Sequence, residues 1–310
     1  MDLRQLRYFL AIAEHGSILK ASQALRVAQP SISTHLRNLE EEFGVVLFER
    51  SARGVVATSE GQELIRHARL ILKSADDARE SLRSRSDSPV GRVTFAIPTS
   101  LVTILAVPLI EQTQAALPNV TLRVVESMSG YIAHWLLEGQ VDVGLLYGAQ
   151  PNSGIDSTKL LTEELYLAGR DEASLAGIEE GGDAPFHRLE SLKFVLPGRE
   201  HGLRSLVEQS ARRAGISLSV TIEIDAFSQI KRLVRRGAGH TILSLAALES
   251  DESGAALSVA RIVEPVVERS VHVAHASNRP LTRAAREVER IAVGILRTEA
   301  RSGWWRAKLW

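Results

Sequence analysis

Gln29-Pro30-Ser31-Ile32-Ser33-Thr34 places an amide and three hydroxyls within six residues, around a proline that suits the first turn of a helix. A carboxamide both donates and accepts, which matches the N6/N7 edge of adenine, and Ser31, Ser33 and Thr34 can approach bases or phosphates. Arg37 suits a phosphate. Arg50 and Arg53 flank the turn Arg50-Ser51-Ala52-Arg53-Gly54, where two guanidinium groups could grip a nucleic-acid backbone. A second set of groups lies far downstream. Thr99 and Ser100 follow a strand and open a helix, where free backbone N–H groups and the positive end of a helix dipole favour an anionic or polar ligand. Ser127 and Ser129 occupy the corresponding place after the next strand. Phe227 and Ser228 offer an apolar wall and a hydroxyl from another segment, with His201 and Arg204 as further candidates. Any one of these hydroxyls by itself reads sooner as a plain helix cap than as a ligand contact; their recurrence at several strand ends is what suggests a cleft.

Other chemistry fails on context. The chain has no cysteine, so disulfides, thiolate metal sites and a cysteine nucleophile are excluded. Ser17-Ile18-Leu19-Lys20 and Ser228-Gln229-Ile230-Lys231 match S-x-x-K but lack the companion S-D-N and K-T-G motifs. Gly237-Ala238-Gly239-His240 is not a complete dinucleotide fingerprint, and there is neither a P-loop nor H-E-x-x-H. His272 and His275 fall in an expected strand, where a spacing of three sends them to opposite faces. No catalytic residue, metal or cofactor is expected.

The elements that must position these groups can be read from periodicity. Asp2 and Gln5 form a capping-box pattern before a helix carrying Leu3, Leu6, Phe9, Leu10 and Ala13. Ser17 caps a second helix over Ile18–Arg26, with Ile18, Ala21 and Leu25 on one face. A third opens at Pro30 and buries Ile32, Leu36, Leu39 and Phe43. Two short helices joined tightly, the second beginning with small polar residues, are what a helix-turn-helix reader of the major groove requires. A helical bundle with a merely solvated polar face explains the same pattern equally well. Charge does not decide between them: Lys+Arg and Asp+Glu are both 37 over 310 residues, and residues 1–58 hold seven basic against six acidic side chains.

Ser59 and Gln62 form an S-x-x-Q pattern ahead of Leu64, Ala68, Ile71, Ala75, Ala78 and Leu82, a heptad seam that predicts a homodimer through a linker helix. Ser84–Pro89 reads as a hinge. Beyond it, strands and helices alternate: Val93–Ile97, Val102–Ala116, Val120–Glu126, Gly130–Glu138 and Val141–Tyr147 predict a βαβαβ lobe. A similar second series follows over Lys193–Leu196, Leu203–Ala214, Leu218–Ile224, Phe227–Arg236 and Thr241–Leu245. The strand Ser270–Ala276 and helix Leu281–Glu299 are expected to return to the first lobe, with a ligand cleft between the two. Trp304, Trp305 and Trp310 are expected in an extended, partly disordered tail, an oligomer contact being the alternative. The apolar stretch Tyr8–Ala13 is closed by Glu14 before a secretory core forms. Leu101–Ile110 falls short of the roughly 20 residues a membrane helix needs. The expectation is a cytoplasmic protein with no membrane partner.

Ser17-Ile18-Leu19-Lys20-Ala21-Ser22-Gln23-Ala24-Leu25-Arg26-Val27, then Gln29-Pro30-Ser31-Ile32-Ser33, Leu39-Glu40, Phe43-Gly44 and Leu47-Phe48-Glu49-Arg50 closely resemble the amino-terminal signature of LysR-type transcriptional regulators. The resemblance implies a winged helix-turn-helix with Gln29, Pro30, Ser31, Ser33 and Thr34 on the DNA-reading helix and Arg50 and Arg53 in the wing. One departure is Thr34-His35, where the family often has Arg-Gln, so half-site preference does not carry over. The resemblance extends over nearly the whole chain. It implies an α/β protein with an all-α winged helix-turn-helix over 1–58 and a dimerising linker over 59–89. A two-lobed, periplasmic-binding-protein-like effector domain would follow over 90–300 and a tail over 301–310. Gly202-Leu203-Arg204, Gly237–Leu243 and Arg279-Pro280-Leu281-Thr282 look most similar to the nitrogen-assimilation-control branch. By resemblance the partners are double-stranded DNA, a small-molecule effector contacted foremost by Thr99, Ser100 and Ser129, and further copies of the chain in a homotetramer. A solute-binding protein and an α/β enzyme acting on a small metabolite remain alternatives that keep the same cleft.

Overall fold

In the computed structural model of the chain, residues 1–51, 54–83, 88–150, 153–178, 182–248 and 256–310 are described. They fall into two compact units, Met1–Asp87 with Glu138–Gln140, and Ser88–Leu137 with Val141–Trp310. The hinge residues Ser84, Arg85, Ser86 and Asp87 and the wing residue Arg53 lie outside the described residues.

The first unit is three helices, a hairpin and a long helix. α1 (Leu3–His15) starts on the expected capping box: Gln5 N donates to the Asp2 carboxylate at 2.8 Å and Asp2 N donates to Gln5 Oε1 at 2.7 Å. α2 (Ile18–Leu25) is capped by Ser17 and ends at Arg26, in the left-handed region at φ 55°. α3 (Gln29–Phe43) begins one residue before Pro30, so Gln29 is its first residue. Leu6, Phe9, Ile12, Ala21, Ile32, Leu36 and Leu39 share one core, but Phe43 is 43% exposed and does not join the stripe; nor does Leu25, at 37%. Each is the last residue of its helix. Leu47 and Phe48 close this core from the hairpin β1 (Phe48–Ser51) and β2 (Gly54–Ala57), with Phe48 at 5.0 Å from the Phe9 ring. The hairpin docks through glycine: Val55 N donates to Gly16 O at 2.9 Å, and a Cβ on Gly54 would stand 2.5 Å from that oxygen. α4 (Ser59–Arg83) is capped one residue earlier than expected. Thr58 Oγ1, not Ser59, accepts from Gly61 N at 3.0 Å. Ile65 and Ala68 pack into the core of the unit, whereas Ile71 and Leu82 of the heptad seam are exposed.

The second unit has two lobes built around one long strand. In the first lobe, β3 (Gly91–Pro98), α5 (Thr99–Ala116), β4 (Val120–Ser127), α6 (Ser129–Leu137) and β5 (Val143–Tyr147) follow one another as expected. β6 (Ile155–Gly169) was not legible in the sequence. Its first part pairs with β12 (Glu268–Ala276) and β13 (Ala307–Leu309), and its last part with β10 (Thr241–Ser244) and β11 (Ser258–Val263), so one strand serves both lobes. The second lobe continues through α7 (Glu172–Leu175), β7 (Asp183–Pro185), β8 (Lys193–Leu196), α8 (Gly202–Ala214), β9 (Ser219–Glu223) and α9 (Phe227–Arg235). After β10 and the short α10 (Leu245–Leu248), α11 (Arg283–Arg301) returns to pack on α5. The sheet order is β4-β3-β5-β12-β6-β11-β7, and β8 and β9 form a separate parallel pair. Each lobe has its own core, one around Phe95, Leu105, Val143 and Leu296 and the other around Phe186, Phe194, Val207 and Ile230. α6 lies close on the other face of the first sheet, since a Cβ on Gly144 would sit 2.6 Å from Ile132 Cγ2.

The carboxyl-terminal segment corrects the expected disordered tail. Residues 307–309 pair with β6, and Trp305 is 1% exposed within the first lobe's core, its indole N–H donating to Glu163 Oε2 at 2.9 Å. An indole that fills a core and satisfies a buried carboxylate is worth more than its solvation as a surface ring. Trp305→Ala is therefore expected to cost about 3–5 kcal/mol, and Trp305→Phe, which keeps most of the packing but orphans Glu163 Oε2, about 1–3 kcal/mol. Urea unfolding of both variants checks the order of the two losses.

Candidate nucleic-acid interface and ligand cavity

The start of α3 presents the first set of groups. Gln29, Pro30, Thr34 and Arg37 are exposed, Ser31 and Ser33 are half-buried, and Ile32 and Leu36 anchor the opposite face. No side chain caps the amino end of α3; its N-cap is Ala28. Arg37 has only a long contact with Glu41, 3.9 Å between exposed groups, and remains available to a phosphate. His35, at the departure from the family pattern, turns inward: its half-buried ring meets Tyr8 edge-on at 5.1 Å. It therefore supports α1 and leaves the outward face to its neighbours. Arg50 enters β1 opposite Val55, which puts it on the hairpin as the sequence indicated. Glu40 holds the approach to that hairpin, accepting from Leu47 N at 2.8 Å.

The second set converges on a cavity of about 830 Å³ between the lobes of the second unit. Pro98, Thr99, Ser100 and Ser129 line it from the first lobe, His201 and Phe227 from the second. Three expected residues do not. Arg204 is 3% exposed and structural: it bonds Glu208 at 2.7 Å, Pro197 O at 3.0 Å and Glu223 at 3.2 Å, tying α8 to the strands beneath it. Ser228 is exposed, because α9 buries Phe227, Ile230 and Val234 and the next residue after Phe227 turns away. Ser127 still belongs to β4, paired with Pro98, and the chain reaches the cavity only at Met128 and Ser129.

Sequence reasoning missed two residues that organise the cavity, Tyr147 and Arg269. The Ser100 hydroxyl is 2.5 Å from Tyr147 OH, and Tyr147 N donates to Ser129 Oγ at 2.9 Å. Arg269 lies over the Tyr147 ring at 3.6 Å and donates to Ser100 Oγ at 3.1 Å, Ser244 Oγ at 3.2 Å and Glu163 Oε1 at 2.7 Å. Burial pushes the Tyr147 phenol far up, so it stays protonated. Arg269 stands at the start of β12 and Glu163 within β6, neither with a motif around it; the one available signal was the pair of carboxylates Glu163 and Glu164 amid the apolar residues of 160–168. His201 caps α8, its Nδ1 accepting from Leu203 N at 3.1 Å, and its ring stands 5.4 Å from Phe227. Burial, then the Arg269 charge, hold its pKa below the ordinary imidazole value, against a smaller opposing pull from Asp225. Among the described residues there is no group of three potential metal ligands, and no helix is long and apolar enough to cross a membrane.

Residues 3–62 match the model of the bacterial regulatory helix-turn-helix protein, lysR family, and residues 86–293 match that of the LysR substrate binding domain. Among curated proteins, the chain is similar to the nitrogen assimilation regulatory protein nac of Klebsiella aerogenes, with 28% identity covering 96% of this chain and 95% of the relative. It is also similar to the transcriptional dual regulator GltC of Bacillus subtilis, with 30% identity over 93% and 95%. Among solved structures, a full-length OxyR variant from Pseudomonas aeruginosa superposes with a TM-score of 0.75, at 22% identity and covering 96% and 98% of the two chains. Full-length CbnR in complex with its target DNA gives 0.70, at 23% identity over 97% and 100%. At these identities the superpositions speak for the fold alone.

The shifted imidazoles carry a pH dependence. His201 and His272 are both held below their ordinary value, foremost by burial, so the folded chain resists protons that the unfolded chain accepts. Their contribution is present above the ordinary imidazole pKa of about 6.5 and is lost as pH falls below it. Melting temperature should fall between about pH 7 and 5, and His201→Asn should flatten part of that slope; parallel slopes would show that the cavity histidine does not report on folding.

Proposed function

We propose that this chain, which belongs to the LysR family of bacterial regulatory helix-turn-helix proteins, is a transcriptional regulator whose action on DNA responds to a small polar or anionic effector. The observation that carries this reading is the pairing, in one chain, of an exposed polar helix start at Gln29 with a cavity of about 830 Å³ in a separate unit. Neither a solute-binding protein nor a metabolic enzyme needs the first; the relatives named above are regulators.

In this reading α3 enters the major groove. Gln29 reads a base edge, Ser31, Ser33 and Thr34 supplement it with Pro30 setting the helix start, and Arg37, Arg50 and Arg53 hold phosphates. The exposure of Ile71 and Leu82 on α4 supports pairing with the same helix of a second copy. Such a dimer would present two reading helices to a pseudo-palindromic site, and two dimers would form the tetramer. Thr99, Ser100, Ser129, His201 and Phe227 surround the effector, and the protein acts in the cytoplasm.

Fluorescence anisotropy on the intergenic DNA beside the chain's own gene, against random DNA of equal length across a salt series, tests the reading. Gln29→Ala should lower affinity for the specific site more than for random DNA. Arg37→Ala should weaken both alike and reduce the salt slope by about one. Equal binding of the parent chain to both DNAs would overturn the regulatory reading. For the linker, Leu82→Glu combined with Ile71→Glu should convert the dimer to a monomer in analytical ultracentrifugation, with little loss of helix signal.

A further inference from the structure

We propose that Arg269 is the tie between the two lobes and the contact for an anionic group, foremost a carboxylate, on the molecule that fills the cavity. The inference rests on reading that cavity as the effector site and goes beyond it by naming the residue that reads the ligand and the ligand's chemical class.

Arg269 begins where the chain crosses back from the second lobe to the first, at the start of β12. One guanidinium nitrogen, Nη2, donates to a hydroxyl of each lobe: Ser100 at the start of α5 and Ser244 at the end of β10. Nε and Nη2 both meet Glu163 on β6, the strand that serves both lobes. Nη1 takes part in none of these bonds, and Arg269 lines the cavity. The residue is 8% exposed and Glu163 is fully buried, so the pair is held in place, and Nη1 is the donor left without one of these partners. A carboxylate is the group that a guanidinium edge recognises best, because charge-assisted N–H···O bonds are short and strong. The same positive charge lowers the pKa of His201, which faces the cavity from the second lobe, so the field of Arg269 reaches across it. Glu200 and Glu268 also line the cavity and oppose that field, which favours a ligand with one anionic group and an apolar body against Phe227 and Leu203 over a polyanion.

The absence of native cysteine permits a direct test with the full chain. Spin labels at Arg123→Cys on β4 and Arg213→Cys on α8, both exposed positions, report the interlobe distance. Ser244→Ala removes one hydroxyl outside the cavity lining and should broaden or shift the distance distribution. Arg269→Gln should do so more strongly. Distributions superimposable on the parent in both variants would overturn the tie. For the ligand, a panel of small monocarboxylates, each paired with its neutral amide, is screened by ligand-observed NMR. Binding to the parent should favour the acid over the amide by about tenfold or more, and Arg269→Gln should erase the preference while amide binding persists. Equal binding of acid and amide to the parent would overturn the anion contact alone. No binding by any member of the panel would count against the effector reading of the cavity, and the inference would fall with it.

Discussion

The second unit is organised around one buried ion pair, Glu163 with Arg269. Taking both charges out of water carries a desolvation penalty that a lone salt bridge rarely repays, so such a pair persists where further hydrogen bonds satisfy most of its remaining polar sites. Here Glu163 accepts from Arg269 on one oxygen and from the Trp305 indole on the other, while the guanidinium reaches two hydroxyls and lies on the Tyr147 ring. The partners come from α5, β5, β6, β10, β12 and the segment before β13. Satisfying one pair of charges therefore fixes the start of α5, the end of β5 and the carboxyl-terminal segment together. The cavity inherits its shape from that requirement, since Ser100, Tyr147 and Arg269 all line it.

The first unit solves a different problem, presenting a polar surface without a surplus of charge. Its core is mainly apolar, with Gln5 and Ser22 also buried, and its first two helix starts are capped by Asp2 and Ser17, but α3 has no side-chain cap. The amino end of the α3 dipole, beside Gln29 and Ser31, adds a positive pole where the charge balance of the sequence provides almost none, although Pro30 has no N–H and Ser31 N already donates to Ala28 O at 3.0 Å. Placement does there what net charge does in strongly basic DNA-binding proteins. The inward turn of His35 onto Tyr8 belongs to the same economy, because it converts a polar position of α3 into a packing contact with α1.

What the sequence disclosed was whatever depends on local periodicity and caps. The capping box at Asp2, the Ser17 cap, and the alternation from β3 to β5 are set within a few residues of themselves and were readable. The cap of α4 slipped by one, because Thr58 and Ser59 are both competent and only the distance to Gly61 N selects Thr58. β6 escaped because it has no single buried face: its first part lies under β12 and β13 and its last part between β10 and β11, so Leu160-Leu161 and Leu165–Ala168 read as apolar runs without alternation. Trp305 and Arg269 escaped for the related reason that their partner, Glu163, is more than a hundred residues away in sequence. The hydroxyls at strand ends were found in part. Thr99, Ser100 and Ser129 reach the cavity, whereas Ser127 and Ser228 miss it by a single step along a strand or around a helix.

The strengths of the contacts at Arg269 indicate how the lobes can respond to a ligand. Breaking a buried ion pair by withdrawing one partner costs about 3–5 kcal/mol, which exceeds the 1–3 kcal/mol typical of coupling between a ligand and a conformational state. Glu163 and Arg269 must therefore stay together in both states. The bonds from Arg269 to Ser100 and Ser244 join a cation to neutral hydroxyls, contribute about 1.5–3 kcal/mol each at most, and fall in the range a ligand can compete with. A ligand that favours one lobe geometry can thus act by exchanging hydroxyl bonds around a fixed ion pair. It shifts the population only if its contacts differ between the two geometries. A contact with Arg269 alone, a residue common to both, would bind without signalling, so the response requires the second wall that His201 and Phe227 supply from the opposite lobe.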